Sequence, residues 1–235
     1  MAEKICFRKF GVMIDCSRNA VMNVSAFKKM VNILSSLGYN TVRLYTEDTY
    51  EVDGEPYFGY LRGRYTKAEL REMDEYAAER GVELIPCIQT LAHLGAIFRY
   101  VEYGKIKDID DILLVGEERT YELIEHMFHS LSECFSSRNV HIGMDEAFML
   151  GKGKYLEKNG LEDRALIIKK HLDRVLDIAE RYGFACEIWG DMYMHSAYGG
   201  VIRAYQGRRR KGGEARSRKI EALLLGLLSY GRFPL

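Results

Sequence analysis

Two adjacent carboxylates, Asp145 and Glu146, close the stretch Val140-His141-Ile142-Gly143-Met144 and are the residues of this chain best suited to chemistry. Short β-type runs that end in acidic residues are how parallel α/β enzymes place catalytic side chains at strand tips. Because neighbouring acids repel each other, one keeps its proton more readily than the other, which suits acid/base chemistry near neutral pH. The alternative is a solvated pair at a helix start or in a loop.

A repeated alternation of strands and helices leads to this pair. Strand-like runs begin near residues 11, 41, 82, 140 and 185, and each pair of runs is far enough apart for a crossover helix. Three helices are expected to end at a glycine just before the next strand, at Gly38, Gly81 and Gly183. This order predicts an α/β fold with a parallel sheet, either open or closed as a barrel.

Local signals predict where the first helices begin. Ser25 is a candidate N-cap for a helix whose apolar positions have helical spacing: Phe27, Met30, Val31, Leu34 and Leu37. Thr66 and Glu69 have the spacing of a capping box and open a second helix. Pro86 lies inside the third strand-like run, where a proline is awkward for a central strand.

Polar residues stand at the carboxyl end of every predicted strand: Asp15, Asp48, His93, Asp145 with Glu146, and Asp191. In parallel α/β barrels this end of the sheet is the active-site face. We therefore expect these side chains to converge on one pocket.

The pleat of a strand constrains how the acid pair is used. Successive side chains point to opposite faces, so His141, Gly143 and Asp145 share one face and Glu146 points away. Both acids reach one pocket only if the strand ends at Asp145 and turns there. His141, lower on the same face, is expected to be a hydrogen-bonded interior residue.

Two other residues leave alternatives open. His93 suits either substrate contact or a structural role, and Trp189 suits either a sugar-ring platform or core packing. A zinc site made of His93, His141 and the acids is disfavoured, because no recognised metal-binding spacing is present, and no metal or cofactor is expected.

Two segments suggest phosphate binding, but neither supports it well. The loop Gly151-Lys152-Gly153-Lys154 lacks both a P-loop and a dinucleotide fingerprint. The run Arg208-Arg209-Arg210-Lys211 could neutralise nucleic-acid phosphates, but no recognisable binding domain surrounds it, so a solvated tail is preferred. We expect no nucleic-acid partner.

Charge and composition divide the chain in two. Residues 199–235 carry nine Lys and Arg against two acids, a local charge of +7, which leaves −7 on residues 1–198. We expect residues 1–198 to form the folded domain and residues 199–235 a disordered or non-native basic tail.

Cysteine spacing and hydropathy favour a cytoplasmic protein. Five scattered cysteines indicate reduced thiols (Cys6, Cys16, Cys87, Cys134 and Cys186). The sequence shows neither a secretory signal nor an apolar run of the ~18 residues that a membrane span requires, so no membrane partner is expected. The oligomeric state is left open.

The run His141-Ile142-Gly143-Met144-Asp145-Glu146 resembles the His-x-Gly-x-Asp-Glu signature of glycoside hydrolase family 20, the β-N-acetylhexosaminidases. Further segments resemble a bacterial branch of that family: residues 15–19, 44–50, 86–94 and 188–192. The resemblance covers about residues 5–198. It implies the first five βα units of a TIM-type barrel, with the chain expected to be a truncated fragment because the family's barrel has eight strands.

The resemblance also implies a substrate and a mechanism. The substrate is a carbohydrate with a terminal β-linked GlcNAc or GalNAc, whose own 2-acetamido oxygen attacks the anomeric carbon with retention. Glu146 is then the general acid and later the base, and Asp145 orients the acetamido group. Four residues match positions that line the sugar pocket: Asp48, His93, Trp189 and Asp191. Arg18 is a candidate replacement for a sugar-binding arginine that many members carry where this chain has Phe10.

Low activity of so short a chain is one expectation of this resemblance. The alternative function is a non-catalytic carbohydrate-binding or interaction remnant of such an enzyme.

Overall fold

The computed structural model describes residues 8–18 and 21–194. The predicted tail at 199–235, and with it the Arg-rich run 208–211, lies outside the described residues. The strands are β1 (Gly11–Asp15), β2 (Thr41–Tyr45), β3 (Glu83–Cys87), β4 (Asn139–His141) and β5 (Ala185–Glu187). The helices are α1 (Val24–Ser36), α2 (Lys67–Ala78), α3 (Glu118–Cys134), α4 (Lys154–Asn159), α5 (Arg164–Arg181) and α6 (Asp191–Met194).

Within the described residues the five strands form one sheet in the order β1-β2-β3-β4-β5. The pairs β1–β2 and β2–β3 are parallel, with Gly11 opposite Thr41 and Thr41 opposite Glu83. A strand order that follows the sequence, with helices between parallel strands, is that of consecutive βα units. The predicted parallel α/β fold is therefore confirmed, and Pro86 lies inside β3 opposite Leu44.

The chain divides into two compact units. Of the described residues, the first unit comprises those up to Ile88 together with His126–Val140, and the second comprises Gln89–Glu125 together with residues 141–194. The core of the first unit includes Phe27 and Val31 of α1, and Met73 of α2, all fully buried. The core of the second includes Ile168 and Val175 of α5, also fully buried.

Helix ends follow the sequence with two corrections. Asn23, and not Ser25, caps α1, because its side-chain oxygen accepts from the backbone N–H of Ala26 and so satisfies a free amide of the first turn. Leu37 caps the other end and is 65% exposed, so it is not part of the buried stripe. The Thr66–Glu69 capping box is present as predicted.

Glycines with positive φ follow three of the helices, as the repeat predicts. Gly38, Gly81 and Gly183 have φ of 85°, 68° and 74°. In this left-handed region a side chain is disfavoured, and a glycine there ends the helix and turns the chain toward the next strand.

The structure corrects three strand limits and adds two short helices. Strand β3 begins and ends one residue inside the predicted run of 82–88, and β5 ends at Glu187, two residues before Trp189. Strand β4 ends at His141, four residues before Asp145. The short helices α4 and α6 are not among the predicted elements, because their six and four residues are too few to show an apolar period.

His171 of α5 is a fully buried polar side chain, and it binds the segment that follows β3. Its Nε2 lies 2.7 Å from the carbonyl oxygen of Thr90, and its Nδ1 lies 3.3 Å from the hydroxyl of Tyr121. A carbonyl can only accept, so Nε2 carries the proton and Nδ1 accepts from the tyrosine. Burial lowers the pKa of His171 to about 4, against the smaller opposing effect of the bond to Thr90.

This buried imidazole predicts a loss of stability in mild acid. The unfolded chain binds a proton at His171 near pH 6.5, whereas the folded chain binds it only near pH 4. The free energy of unfolding should therefore fall by about 1.4 kcal/mol per pH unit from pH 6.5 downward, about 2 kcal/mol in all by pH 5. Urea unfolding at pH 7 and pH 5 measures this fall.

The variant His171→Gln provides the control, since its amide can still donate to Thr90 but does not titrate. Its loss of stability between the two pH values should be smaller than that of the parent by about 2 kcal/mol. An equal loss in both proteins would show that the proton taken up on unfolding is not bound by His171.

Candidate active site

The backbone leaves the sheet at the end of β4 and turns through left-handed conformations before the acid pair. Gly143, Met144 and Glu146 have φ of 70°, 69° and 51°. For residues other than glycine this region costs about 1 kcal/mol or more each and persists only where surrounding contacts enforce it. The predicted turn therefore exists, but it begins after His141 and not at Asp145. The alternation of side chains assumed for a longer strand is wrong here.

Side chains hold the backbone amides of this turn in place of a neighbouring strand. The N–H of Gly143 donates to Nδ1 of His141 at 3.1 Å, and that of Met144 donates to Oε1 of Gln89 at 3.3 Å. The N–H of Glu146 donates to Oδ2 of Asp191 at 3.0 Å. Buried amides need partners, and three polar side chains supply them where the sheet no longer does.

Asp145 is the more enclosed of the two acids, with 19% of its side chain exposed. Its Oδ1 accepts from Nε2 of Gln89 at 2.9 Å, and its Oδ2 lies 3.2 Å from Nε2 of His93. Burial opposes ionisation, but the donors His93 and Gln89 outweigh it and lower the pKa of Asp145 below its ordinary value. Asp145 is therefore a carboxylate at neutral pH.

Glu146 faces outward beside it, with 61% of its side chain exposed. Its Oε2 lies 3.7 Å from Nε2 of His93, so one imidazole nitrogen stands near both acids. The next turn is tight, because the N–H of Phe148 donates to the carbonyl of Glu146 at 2.7 Å. The adjacent acids thus occupy different environments, one enclosed by donors and one open to solvent.

His93 is itself held in a left-handed conformation, with φ of 60°. Its backbone N–H donates to Oδ2 of Asp111 at 3.2 Å, and its Nδ1 lies 3.8 Å from the same oxygen. Asp111 thereby orients the ring so that Nε2 points toward Asp145. His93 thus lies beside the acid pair, and its contact with substrate stays a prediction.

Trp189 and His141 pack against each other beside the turn. Their ring centroids are 4.7 Å apart, and the backbone N–H of Trp189 donates to the carbonyl of Gly143 at 3.2 Å. His141 is buried, as expected of an interior residue, whereas Trp189 is only half-buried. The tryptophan therefore combines packing on one side with accessible ring surface.

Asp191 has one carboxylate oxygen left over. While Oδ2 binds the amide of Glu146, Oδ1 is buried and has no hydrogen-bond partner among residues 8–18 and 21–194. A buried acceptor without a partner calls for a ligand or water. The acid pair and the residues around it belong to the second compact unit: Gln89, His93, Asp111, His141, Trp189 and Asp191.

Asp48 and Arg18 lie in the first unit, each in an ion pair of its own. Asp48 is almost fully buried and accepts from Nε of Arg62 at 3.1 Å. Arg18 is largely exposed and pairs with the buried Glu47. The structure thus gives both residues local partners, and their contact with substrate stays a prediction.

Gln89 and Asp111 are site residues that the sequence analysis did not single out. Gln89 stands two residues after β3, where a polar tip could have drawn attention to it, but an amide carries no charge to distinguish it. Asp111 belongs to an acidic patch in an irregular segment, and nothing in its spacing relates it to His93. Only the fold shows both contacts.

Comparison with known proteins decides the family. Residues 7–211 match the family described as glycosyl hydrolase family 20, catalytic domain. The chain belongs to glycosyl hydrolase family 20. The predicted family resemblance is confirmed.

Individual relatives agree with this assignment. The chain is 24% identical over 160 residues to β-hexosaminidase subunit beta of Entamoeba histolytica, covering 59% of this chain and 28% of that protein. It is 23% identical over 190 residues to hexosaminidase D of Bos taurus, covering 74% of this chain and 53% of that protein. The chain thus spans between about a quarter and a half of the length of these curated relatives.

Solved structures confirm the fold class. The family 20 exo-β-N-acetylglucosaminidase of Vibrio harveyi, solved in complex with N-acetylglucosamine, superposes with a TM-score of 0.71 at 19% sequence identity. The match covers 87% of this chain and 40% of that chain. The five βα units are therefore those of the family 20 barrel fold.

The glycine- and lysine-rich loop of this family 20 chain surrounds an internal anion. The carboxylate of Asp108, almost fully buried, accepts from the backbone N–H groups of Gly151 at 2.9 Å and Tyr155 at 2.8 Å. Gly153 lies so close that a Cβ there would stand 2.3 Å from the carbonyl oxygen of Asp108. A carboxylate thus fills the position that a phosphate would need, which explains why the loop has no phosphate signature.

Among the described residues, one group could in principle hold a metal ion: Asp53, His129 and Glu133. The ammonium of Lys67 already lies between its acids, 2.5 Å from Asp53 and 2.8 Å from Glu133. This hydrogen bond from Lys67 lowers the pKa of Asp53. The cluster therefore works as an ion-pair network with its own cation.

No helix in the described part of the chain is long and apolar enough to cross a membrane.

The buried Asp108 predicts a stability effect. Asp108→Ala leaves the amides of Gly151 and Tyr155 without their acceptor, so the free energy of unfolding should fall by about 3 kcal/mol. The control Glu102→Ala, at an exposed position, should change it by less than about 0.5 kcal/mol. Urea denaturation measures both values. A loss for Asp108→Ala no larger than that of the control would contradict the internal-anion assignment.

Proposed function

We propose that this family 20 chain hydrolyses terminal β-linked N-acetylhexosaminides by a retaining mechanism in which the substrate's acetamido group is the nucleophile. The observation that carries the proposal is the difference in environment between the two adjacent acids. Asp145 is enclosed, ionised and held by two donors, and Glu146 stands next to it, exposed to solvent. Family membership and the printed activities of the relatives, β-hexosaminidases, support the substrate class.

Asp145 orients and stabilises the acetamido group. When the acetamido oxygen attacks the anomeric carbon, positive charge develops on the acetamido nitrogen and its N–H becomes a stronger donor. A fixed carboxylate within reach of that N–H stabilises the charge as it forms. Since Asp145 is enclosed by Gln89 and His93, this interaction takes place with restricted access of water.

Glu146 moves the proton. It protonates the glycosidic oxygen as the bond to the aglycone breaks, and its carboxylate then takes a proton from the water that opens the cyclic intermediate. Its exposure suits this role, because the leaving group and the incoming water both approach from solvent. The adjacency of the acids follows from the mechanism. Neither of them attacks the ring, so the usual separation of two carboxylates across the sugar is not needed.

The remaining predicted contacts complete the proposed sugar site. Oδ1 of Asp191, buried and without a protein partner in the described chain, is suited to accept from a sugar hydroxyl. The half-buried ring of Trp189 suits an apolar sugar face. Asp48 and Arg18 are proposed substrate contacts on the resemblance alone.

The general-acid role of Glu146 predicts a dependence on the leaving group. Glu146→Gln should lower kcat/KM for a methyl or sugar aglycone by about 10²- to 10⁴-fold, because these alkoxides need protonation to depart. The loss should be much smaller for a dinitrophenyl β-N-acetylglucosaminide, which leaves without a proton. Initial rates on both substrates measure the difference, with the exposed Glu157→Gln as control.

Two results would count against the proposal. Equal losses on both substrates would remove Glu146 from proton transfer. Binding of N-acetylglucosamine without turnover of either substrate, unaffected by Glu146→Gln, would instead favour the non-catalytic carbohydrate-binding alternative.

A further inference from the structure

Gln89 is fully buried, and both the oxygen and the nitrogen of its side-chain amide bind the turn that carries Asp145. Its Oε1 accepts from the backbone N–H of Met144 at 3.3 Å, and its Nε2 donates to Oδ1 of Asp145 at 2.9 Å. The first bond fixes the orientation of the amide, because an N–H group can only meet an oxygen there. The amide NH₂ must then face the carboxylate of Asp145.

We infer that Gln89 is the positioning residue of the reaction: it holds Asp145 as an ionised acceptor aimed at the acetamido N–H of the substrate. This inference rests on the proposed function, since it assigns Gln89 a task only if Asp145 serves that acetamido group. Gln89 acts through Asp145 and not on the reacting atoms.

The charges that face Asp145 make an amide the suitable partner. His93 stands 3.2 Å from its Oδ2, Glu146 is the next residue, and Asp111 lies behind the histidine ring. Asp191 binds the amide of Glu146 on the other side. Three acids therefore stand near Asp145, and in the described part of the chain its one ion-pair partner is His93. Gln89 donates to the carboxylate without adding a further titrating group.

A carboxylate at position 89 would reverse this effect. Glutamate has the same length, so one oxygen could still accept from Met144 and keep the turn in place. Its other oxygen would meet Oδ1 of Asp145 at the distance of a hydrogen bond, where two carboxylates must share a proton or repel. Sharing a proton lowers the negative charge on Asp145 in mild acid, and repulsion raises its pKa and moves its carboxylate from the position that Gln89 gives it. Glutamate thus separates the electrostatic role of Gln89 from its backbone role.

The test is the pH profile of kcat/KM on an aryl β-N-acetylglucosaminide for the parent chain, Gln89→Glu and Gln89→Met. Methionine removes the donor without adding charge. We expect the acidic limb to move to higher pH in both variants, by at least about one unit for glutamate, which is a tenfold loss of kcat/KM on that limb. The shift for methionine should be smaller.

Controls separate this effect from added charge and from misfolding. Asn159→Asp adds one acid at an exposed position of the same unit and should leave the profile unchanged. If Gln89→Glu does not fold by circular dichroism, the methionine variant still decides the question, because it too must shift the limb.

The possible failures are distinct. An unshifted acidic limb in a folded Gln89 variant, with the parent chain active, overturns the role of Gln89 alone. A parent chain that does not hydrolyse the substrate at any pH overturns the proposed function itself.

Discussion

The site depends on how the chain satisfies its backbone after β4. After the strand ends at His141, Gly143, Met144 and Glu146 take left-handed conformations, and their amides bind side chains instead of a neighbouring strand. Such a turn is stable only if other groups bind its amides, and His141, Gln89 and Asp191 do so. These side chains thereby also set where the two acids stand. The contacts that fix the backbone of this turn are therefore the same contacts that position Asp145 and Glu146.

The same principle of internal partners recurs elsewhere in the described chain. The carboxylate of Asp108 binds the amides of the glycine-rich loop. The ammonium of Lys67 binds the carboxylates of Asp53 and Glu133. His171 supplies a donor to the carbonyl of Thr90, next to Gln89 in the chain. The glycine-rich loop and the group of Asp53, His129 and Glu133 are thus occupied by the protein's own charged side chains. In contrast, the site around Asp145 retains an acceptor, Oδ1 of Asp191, that has no hydrogen-bond partner among residues 8–18 and 21–194.

Much of the fold follows from local signals in the sequence. The glycines at 38, 81 and 183 and the capping box at Thr66 depend only on neighbouring residues, and the structure has them where the sequence places them. The end of β4 could not be predicted in this way. Residues 142–144 are apolar and buried, as in a strand, but the amides of Gly143 and Met144 bind the side chains of His141 and Gln89.

The acid pair could be recognised from the sequence because its residue types and its place after an apolar run are unusual together. The residues that set the charge environment of the acid pair could not be recognised in this way. Gln89 is uncharged and Asp111 lies in an irregular segment, so their importance comes from contacts that span 56 and 18 residues of sequence. The N-cap of α1 could not be predicted either, since only the backbone geometry distinguishes Asn23 from Ser25 at this helix start.

The central claim is that Asp145 stabilises a cyclised acetamido group, and binding of a stable mimic tests it without requiring turnover. A thiazoline analogue of the cyclic intermediate, titrated calorimetrically at pH 6, should bind at least about tenfold more tightly than N-acetylglucosamine, as expected for a mimic of a high-energy state. Asp145→Ala should abolish this preference, whereas Glu146→Gln should largely retain it. A thiazoline that binds no better than the sugar, or equally well to Asp145→Ala, would contradict the account.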